Sequence, residues 1–163
     1  MSKKYHIISV NGKQYLCCKI EETYVNVANM SIGFTPGEDE FQEIPRDESL
    51  KEKIYLYKDR EVCLTPSLYP NGWLALTVEN PYDKGDFIVL STNIERMPAM
   101  GLPDRVFVDC NNEPEALEFL VKNGFAEETG YNRQSGFVSY PMVIVDLALV
   151  YQHAPETFSN INI

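Results

Sequence analysis

At 163 residues, 44% of them apolar, the chain has the length of one domain and enough apolar mass to build a packed core. Its longest apolar stretch, Met142 to Val145 and then Leu147 to Tyr151 beyond Asp146, is roughly half the ~20 residues of a membrane helix, and the opening Met-Ser-Lys-Lys-Tyr-His leads into no signal-peptide apolar region, so a soluble, cytoplasmic protein is expected. The formal net charge of −10 sits almost wholly in residues 61–163, with five basic against fourteen acidic side chains where residues 1–60 carry nine and ten; this sign disfavours direct nucleic-acid or anionic-membrane binding and suits a basic protein partner, while acidity also serves solubility alone.

In chain order, Tyr5 to Val10 and Gln14 to Ile20 are β-rich runs around Asn11-Gly12-Lys13, and Asn-Gly predicts a β-hairpin. Val25 to Phe34 adds a strand, and the polar stretch 35–47, with Pro36, Gly37 and Pro45, reads as a loop. Between Glu48 and Lys58 two readings stay open: Asp47-Glu48-Ser49 caps a short helix, or Ile54 to Tyr57 forms a strand, the second being favoured for the end of the segment. A meander follows. It takes Glu61 to Thr65, a turn at Tyr69 to Gly72, and Trp73 to Glu79, whose two apolar faces predict a strand covered on both sides; Phe87 to Ser91 comes next. The proline- and glycine-rich connection from Glu95 to Asp104 forms no long regular element.

Val106 to Val108 predicts a strand leading into a helix over 112–123, with Asn112 as N-cap, Pro114 in the first turn, Glu115 at the capping-box position and Gly124 as the left-handed stop. Ala116, Leu117, Leu120 and Val121 form its apolar face, leaving Glu113, Glu115, Glu118 and Lys122 toward water. Residues 127–136 read as a loop closed by Ser135-Gly136, Phe137 to Tyr151 as strand interrupted by Pro141, and 152–163 as a frayed tail. The expected fold is a single α+β domain over 1–163, mostly antiparallel hairpins and meander, with one short amphipathic helix packed on the sheet; residues 1–60 form an N-terminal hairpin region and 61–151 the core.

The four cysteines, with Cys17 and Cys18 adjacent and Cys63 and Cys110 alone, have neither disulfide-framework nor zinc-site spacing, and the two histidines, His6 and His153, lie near the chain ends. No metal and no cofactor is expected, nor an activated thiol. Cys17 and Cys18 point to opposite faces of a strand, one inward and one outward.

The succession Phe107-Val108-Asp109-Cys110-Asn111-Asn112-Glu113-Pro114, Glu118-Phe119, Asn123-Gly124, Thr129-Gly130, Ser135-Gly136-Phe137 and Tyr140-Pro141, with Leu74-Ala75 and Leu76-Thr77-Val78 upstream, resembles the bacterial domain-of-unknown-function family numbered 4313. The resemblance covers about residues 62–150. It departs where the family pattern has a threonine at Cys110 and a tryptophan at Glu115. The resemblance implies a small protein of gut bacteria, of the kind often carried on conjugative or phage-like elements, and supplies no catalytic or ligand residues.

Two functional classes follow. The first is a non-enzymatic protein-interaction module, accessory to a mobile element, whose acidic face of Glu113, Glu115, Glu118, Glu127 and Glu128 docks on a basic protein. The second is a small hydrolase or ligand-binding domain that gathers Asp109, Asn111, Arg133, Ser135 and Tyr140 at the Asp109–Asn112 turn and the Ser135–Tyr140 segment. In that turn the side chains also have a purely local use, with Asp109 and Asn111 satisfying the turn's backbone and Asn112 capping the helix.

Overall fold

The computed structural model describes residues 4–94 and 102–160. Asn11 and Gly12 both take positive φ, 52° and 80°, as a type I′ turn requires, and they join β1 (Tyr5–Val10) to β2 (Lys13–Ile20) with Val10 opposite Lys13. β3 (Thr23–Asn26) and β4 (Gly33–Phe34) extend this expected hairpin on one side. On the other side the stretch expected as a loop supplies β5 (Gln42–Ile44), antiparallel to β1. Long-range contacts explain that difference: Ile44 stands opposite Ile7 and packs on the core, while Glu43 Oε2 lies 2.8 Å from His6 Nδ1.

Asp47 caps a 3₁₀ turn at Glu48–Glu52, accepting from the Ser49 amide, and β6 (Tyr55–Tyr57) follows, so both readings of this segment occur in succession. β7 (Arg60–Leu64), β8 (Ser67–Leu68), β9 (Leu74–Ala75), β10 (Thr77–Glu79) and β11 (Phe87–Val89) form the meander. Leu74 to Val78 are all buried, as a doubly covered element should be, but the run is two strands rather than one. β9 pairs with β8, whereas β10 sits between β7 and β11. The break falls at Leu76, whose N–H donates to Ser91 Oγ at 2.9 Å instead of to a ladder partner.

β12 (Ser91–Thr92) and β13 (Arg105–Val108) begin the last sheet. The irregular connection expected over 95–104 lies, up to residue 101, outside the described residues. α1 (Ala116–Lys122) starts four residues later than the sequence suggests, because Asp109 captures Asn112: its Oδ1 accepts from the Asn112 backbone N–H and its Oδ2 from the Asn112 side-chain amide. Asn112 thus belongs to a turn, and the true N-cap, Glu115, makes no side-chain cap bond. The stop is as expected. Gly124 has φ +77°, its N–H donates to the Val121 carbonyl, and the Phe125 N–H donates to the Leu120 carbonyl, which is a Schellman closure. The buried face is Ala116, Phe119 and Leu120, with Leu117 half-buried and Val121 exposed; Phe119, not Val121, turns inward because Tyr55, Tyr57 and Phe125 surround its ring.

The expected loop 127–136 is instead β14 (Ala126–Ser135), which pairs with β15 (Val138–Val145) across a two-residue turn at Gly136 (φ +65°) and the fully exposed Phe137. β14 is an edge strand with few buried positions, so hydrophobic alternation is lacking and polar composition mimics a loop. β15 ends at Val145. There Asp146 accepts from the Leu149 N–H and starts α2 (Leu147–His153), a second helix where strand had been expected to Tyr151. The expected frayed tail is packed as far as it is described: Gln152, His153, Ala154 and Phe158 are buried, Tyr5 Oη donates to the Phe158 carbonyl at 2.7 Å, and the Asp47 N–H donates to Gln152 Oε1 at 3.0 Å. Residues 161–163 of that tail lie outside the described residues.

The chain is thus α+β, mostly antiparallel, and a single cluster of buried side chains draws on β1 and β2 as well as on β13, β15 and both helices. Within it His153 donates from Nδ1 to the Leu149 carbonyl at 2.8 Å, which leaves Nε2 to accept from Tyr55 Oη at 2.7 Å; the tautomer follows from this network. Burial holds the His153 pKa below its ordinary value.

Phe119→Ala is expected to cost about 3–5 kcal/mol and Val121→Ala less than about 0.5 kcal/mol, measured by denaturant unfolding. His153 gives a pH signature. Its folded pKa is lowered, so its contribution is present above the unfolded value and lost as pH falls through the folded one; stability should decline as pH drops below about 6.5, and His153→Gln should flatten that decline.

Candidate functional site

The Asp109 turn closes on itself. Both carboxylate oxygens of Asp109 are held by Asn112, the Asp109 carbonyl accepts from the Glu113 N–H at 2.8 Å, and no hydrogen bond joins Asp109 or Asn111 to Arg133, Ser135 or Tyr140 among the described residues. Part of the acidic face is also internal: Glu113 Oε1 accepts from Tyr57 Oη at 2.7 Å and lies 3.1 Å from Lys58 Nζ, so it does not face water as expected. Glu115, Glu118, Glu127 and Glu128 are exposed.

Three of the four thiols, Cys17, Cys63 and Cys110, are not activated. Cys17 is buried and its thiol is pushed up to about 12, first by burial and then by Cys18; burial also raises Cys63 and Cys110. Cys17 points inward and Cys18 is half-buried on the other face of β2, as the strand period dictates. Both ring nitrogens of His153 are committed, and His6 is paired with Glu43. Among the described residues no three His, Cys, Asp or Glu side chains gather as a metal-ion site, and no helix is long and apolar enough to cross a membrane.

A roomier concavity lies elsewhere. An open cleft of ≈ 610 Å³ runs between the turn end of the β1–β2 hairpin, with Lys13 and Gln14, and the base of the β14–β15 hairpin with the start of α2. Leu16, Ala126, Val145 and Leu147 give it apolar walls; Asp104, Asp146, Glu127 and Asn26 give it polar ones. Two features of β13 and β15 place the carboxylates together: the Val145 N–H donates to the Asp104 carbonyl at 2.7 Å, and Asp146 follows Val145 directly. Asp104 is 9% exposed; its Oδ1 accepts from Arg105 Nη1 at 2.7 Å, and its own backbone N–H and the charge of Lys13 add to the pull on the carboxylate. Burial raises the carboxyl of Asp104 against the opposing pull of Arg105, and burial raises that of Asp146 too. The effect is firmer at Asp104, since Asp146 is exposed at the surface. Asn26, 7% exposed, accepts at Oδ1 from the Ala28 N–H.

This site was not legible in the sequence because its members come from β2, β3, the residue before β13, β14, β15 and the start of α2, and nothing local marks Asp104 as buried. The single sequence signal was the Asp146 interruption of an apolar run. A second, shallower hollow of ≈ 440 Å³ does bring together three of the expected residues, Arg133, Ser135 and Tyr140, with Thr92 and Asn93, but without Asp109 or Asn111.

No family model, curated protein or solved structure matches this chain.

The raised carboxyl of Asp104 carries a sign that can be measured. A folded-state pKa above the unfolded value stabilises the fold at low pH and forfeits that contribution as pH rises through the folded pKa, so ionised Asp104 is a net cost near neutrality. Asp104→Asn should therefore gain in Tm relative to the wild type between pH 4 and pH 7 in thermal scans.

Proposed function

We propose that this protein is a non-enzymatic binding module whose acidic cleft takes up a basic segment of a partner protein. The observation that carries the reading is Asp104: a buried carboxylate, raised by its burial, in a cleft whose walls also hold Asp146 and Glu127. Burying a carboxylate in such a place lowers stability, and charge of this kind is retained where it meets a ligand. A lysine or arginine side chain entering beside Leu16 and Leu147 would meet these carboxylates and bury its own methylene stem. Glu127 belongs both to the acidic face read from the sequence and to the cleft wall, so Glu115, Glu118 and Glu128 supply steering around the same region. The raised thiols and the committed histidines favour binding over nucleophilic catalysis. The likeness to the family numbered 4313 adds that the module serves a mobile element.

The test is calorimetric titration of the intact chain with oligolysine and oligoarginine peptides. Binding should weaken with salt, because exposed charges are screened within ~8–10 Å. An Asp104→Asn, Glu127→Gln double variant should bind at least about tenfold more weakly, which is about 1.4 kcal/mol. A Glu115→Lys, Glu118→Lys variant should lose less. Equal affinity of wild type and the cleft variant would remove the cleft from the function.

A further inference from the structure

The hollow beside β14 differs in kind from the acidic cleft. Arg133 and Ser135 lie two apart on β14 and therefore on one face; Tyr140 is directly opposite Arg133 in the antiparallel register, and Thr92 and Asn93 close the other side. The turn at Gly136–Phe137 fixes that register, since Ser135 is opposite Val138.

Among the described arginines, Arg46, Arg60 and Arg105 each face a carboxylate within 4.0 Å, namely Glu48, Asp86 and Asp104. Arg133 faces none among the described residues. In a chain with 24 acidic and 14 basic side chains, an arginine without a described acidic neighbour stands out. Nor do Arg133, Ser135, Tyr140 and Thr92 make any side-chain hydrogen bond with another described residue. The hollow thus offers a guanidinium fork and three hydroxyls, with no carboxylate among its described lining residues.

The geometry points to an oxyanion-binding site at Arg133, Ser135 and Tyr140 for a small ligand that bears a phosphate or carboxylate group. The fork of Arg133 matches two oxygens of such a group in a planar, bidentate pair, and the Tyr140 and Ser135 hydroxyls donate to what remains. The volume of ≈ 440 Å³ is that of a small-molecule site rather than of a macromolecular groove. With a net charge of −10 the protein draws no anion in from a distance, so recognition rests on these short, directed bonds. The site is independent of the acidic cleft: the two share no lining residue.

Nuclear magnetic resonance titration of the full chain tests this, with inorganic phosphate and with malonate as separate probes at constant ionic strength. A saturable shift of the Arg133 side-chain Nε–H signal, spreading to Ser135, Tyr140 and Thr92, is expected from at least one probe. Arg133→Gln should abolish it, and Arg133→Lys, which keeps the charge but loses the fork, should weaken it about five- to tenfold. Tyr140→Phe should weaken it about three- to tenfold. Lys122→Gln, outside the hollow, should leave it unchanged. Saturation by phosphate alone identifies a phosphoryl ligand, by malonate alone a carboxylate ligand, and by both the shared oxyanion class. Absence of saturation with either probe, or an Arg133→Gln titration equal to the wild type, overturns the site.

Discussion

The hydrogen bond from Tyr55 Oη to the buried Nε2 of His153 is the joint on which the rest of the structure depends. Its donor belongs to the short β6, its acceptor to the last turn of α2, and the two are separated by 98 residues. Around it the rings of Tyr57, Phe119 and Phe125 stack edge-on or tilted, with centroids between 5.1 and 6.3 Å apart, which brings α1 into the same contact set. Aromatic packing of this kind contributes beyond its buried area, and the polar pair inside it leaves no freedom in how the elements are rotated. Because α2 also packs on β2 and on the Glu48–Glu52 turn, the joint links the N-terminal sheet to the C-terminal one.

Both candidate sites hang from a single hairpin that this core holds in place. At its base Ala126 and Glu127 stand opposite Val145 and Ile144, and these residues wall the acidic cleft. Past the irregularity between Glu128 and Asn132, the register resumes and presents Arg133 with Tyr140. The two ends therefore offer opposite charge, one suited to a cation and the other to an anion, along one continuous ladder.

What the sequence revealed divides by the distance over which each feature is determined. The Asn11-Gly12 turn and the Gly124 stop need only their own backbone, and both are where the residues say. Arg133, Ser135 and Tyr140 do share a hollow, but apart from the Asp109 turn they were grouped with, and by a β14–β15 pairing that the polar composition of 127–136 hid behind the look of a loop. By contrast, β5 exists because Ile44 finds Ile7, and Phe119 is buried because Tyr55 and Tyr57 arrive from another sheet. α2 was hidden for a further reason. Its residues, Leu147 to Tyr151, are apolar nearly throughout since α2 is buried on most sides, so neither a helical nor a strand period shows. Asp104 is an ordinary acidic residue until Val145 and the β1–β2 hairpin close over it.

The irregularity in β14 has a consequence for how the molecule behaves in a crowded solution. A ten-residue strand on the outside of a sheet presents a row of unpaired amides and carbonyls to any second chain, and a flat one would template fibrils. Here Thr129 turns its hydroxyl inward to donate to the Met142 carbonyl and to accept from the Tyr131 N–H, while Gly130 takes φ +80°. The ladder is interrupted at its middle, Glu127 and Glu128 precede the irregularity, and this long edge offers a second chain two short, offset segments in place of one flat ladder.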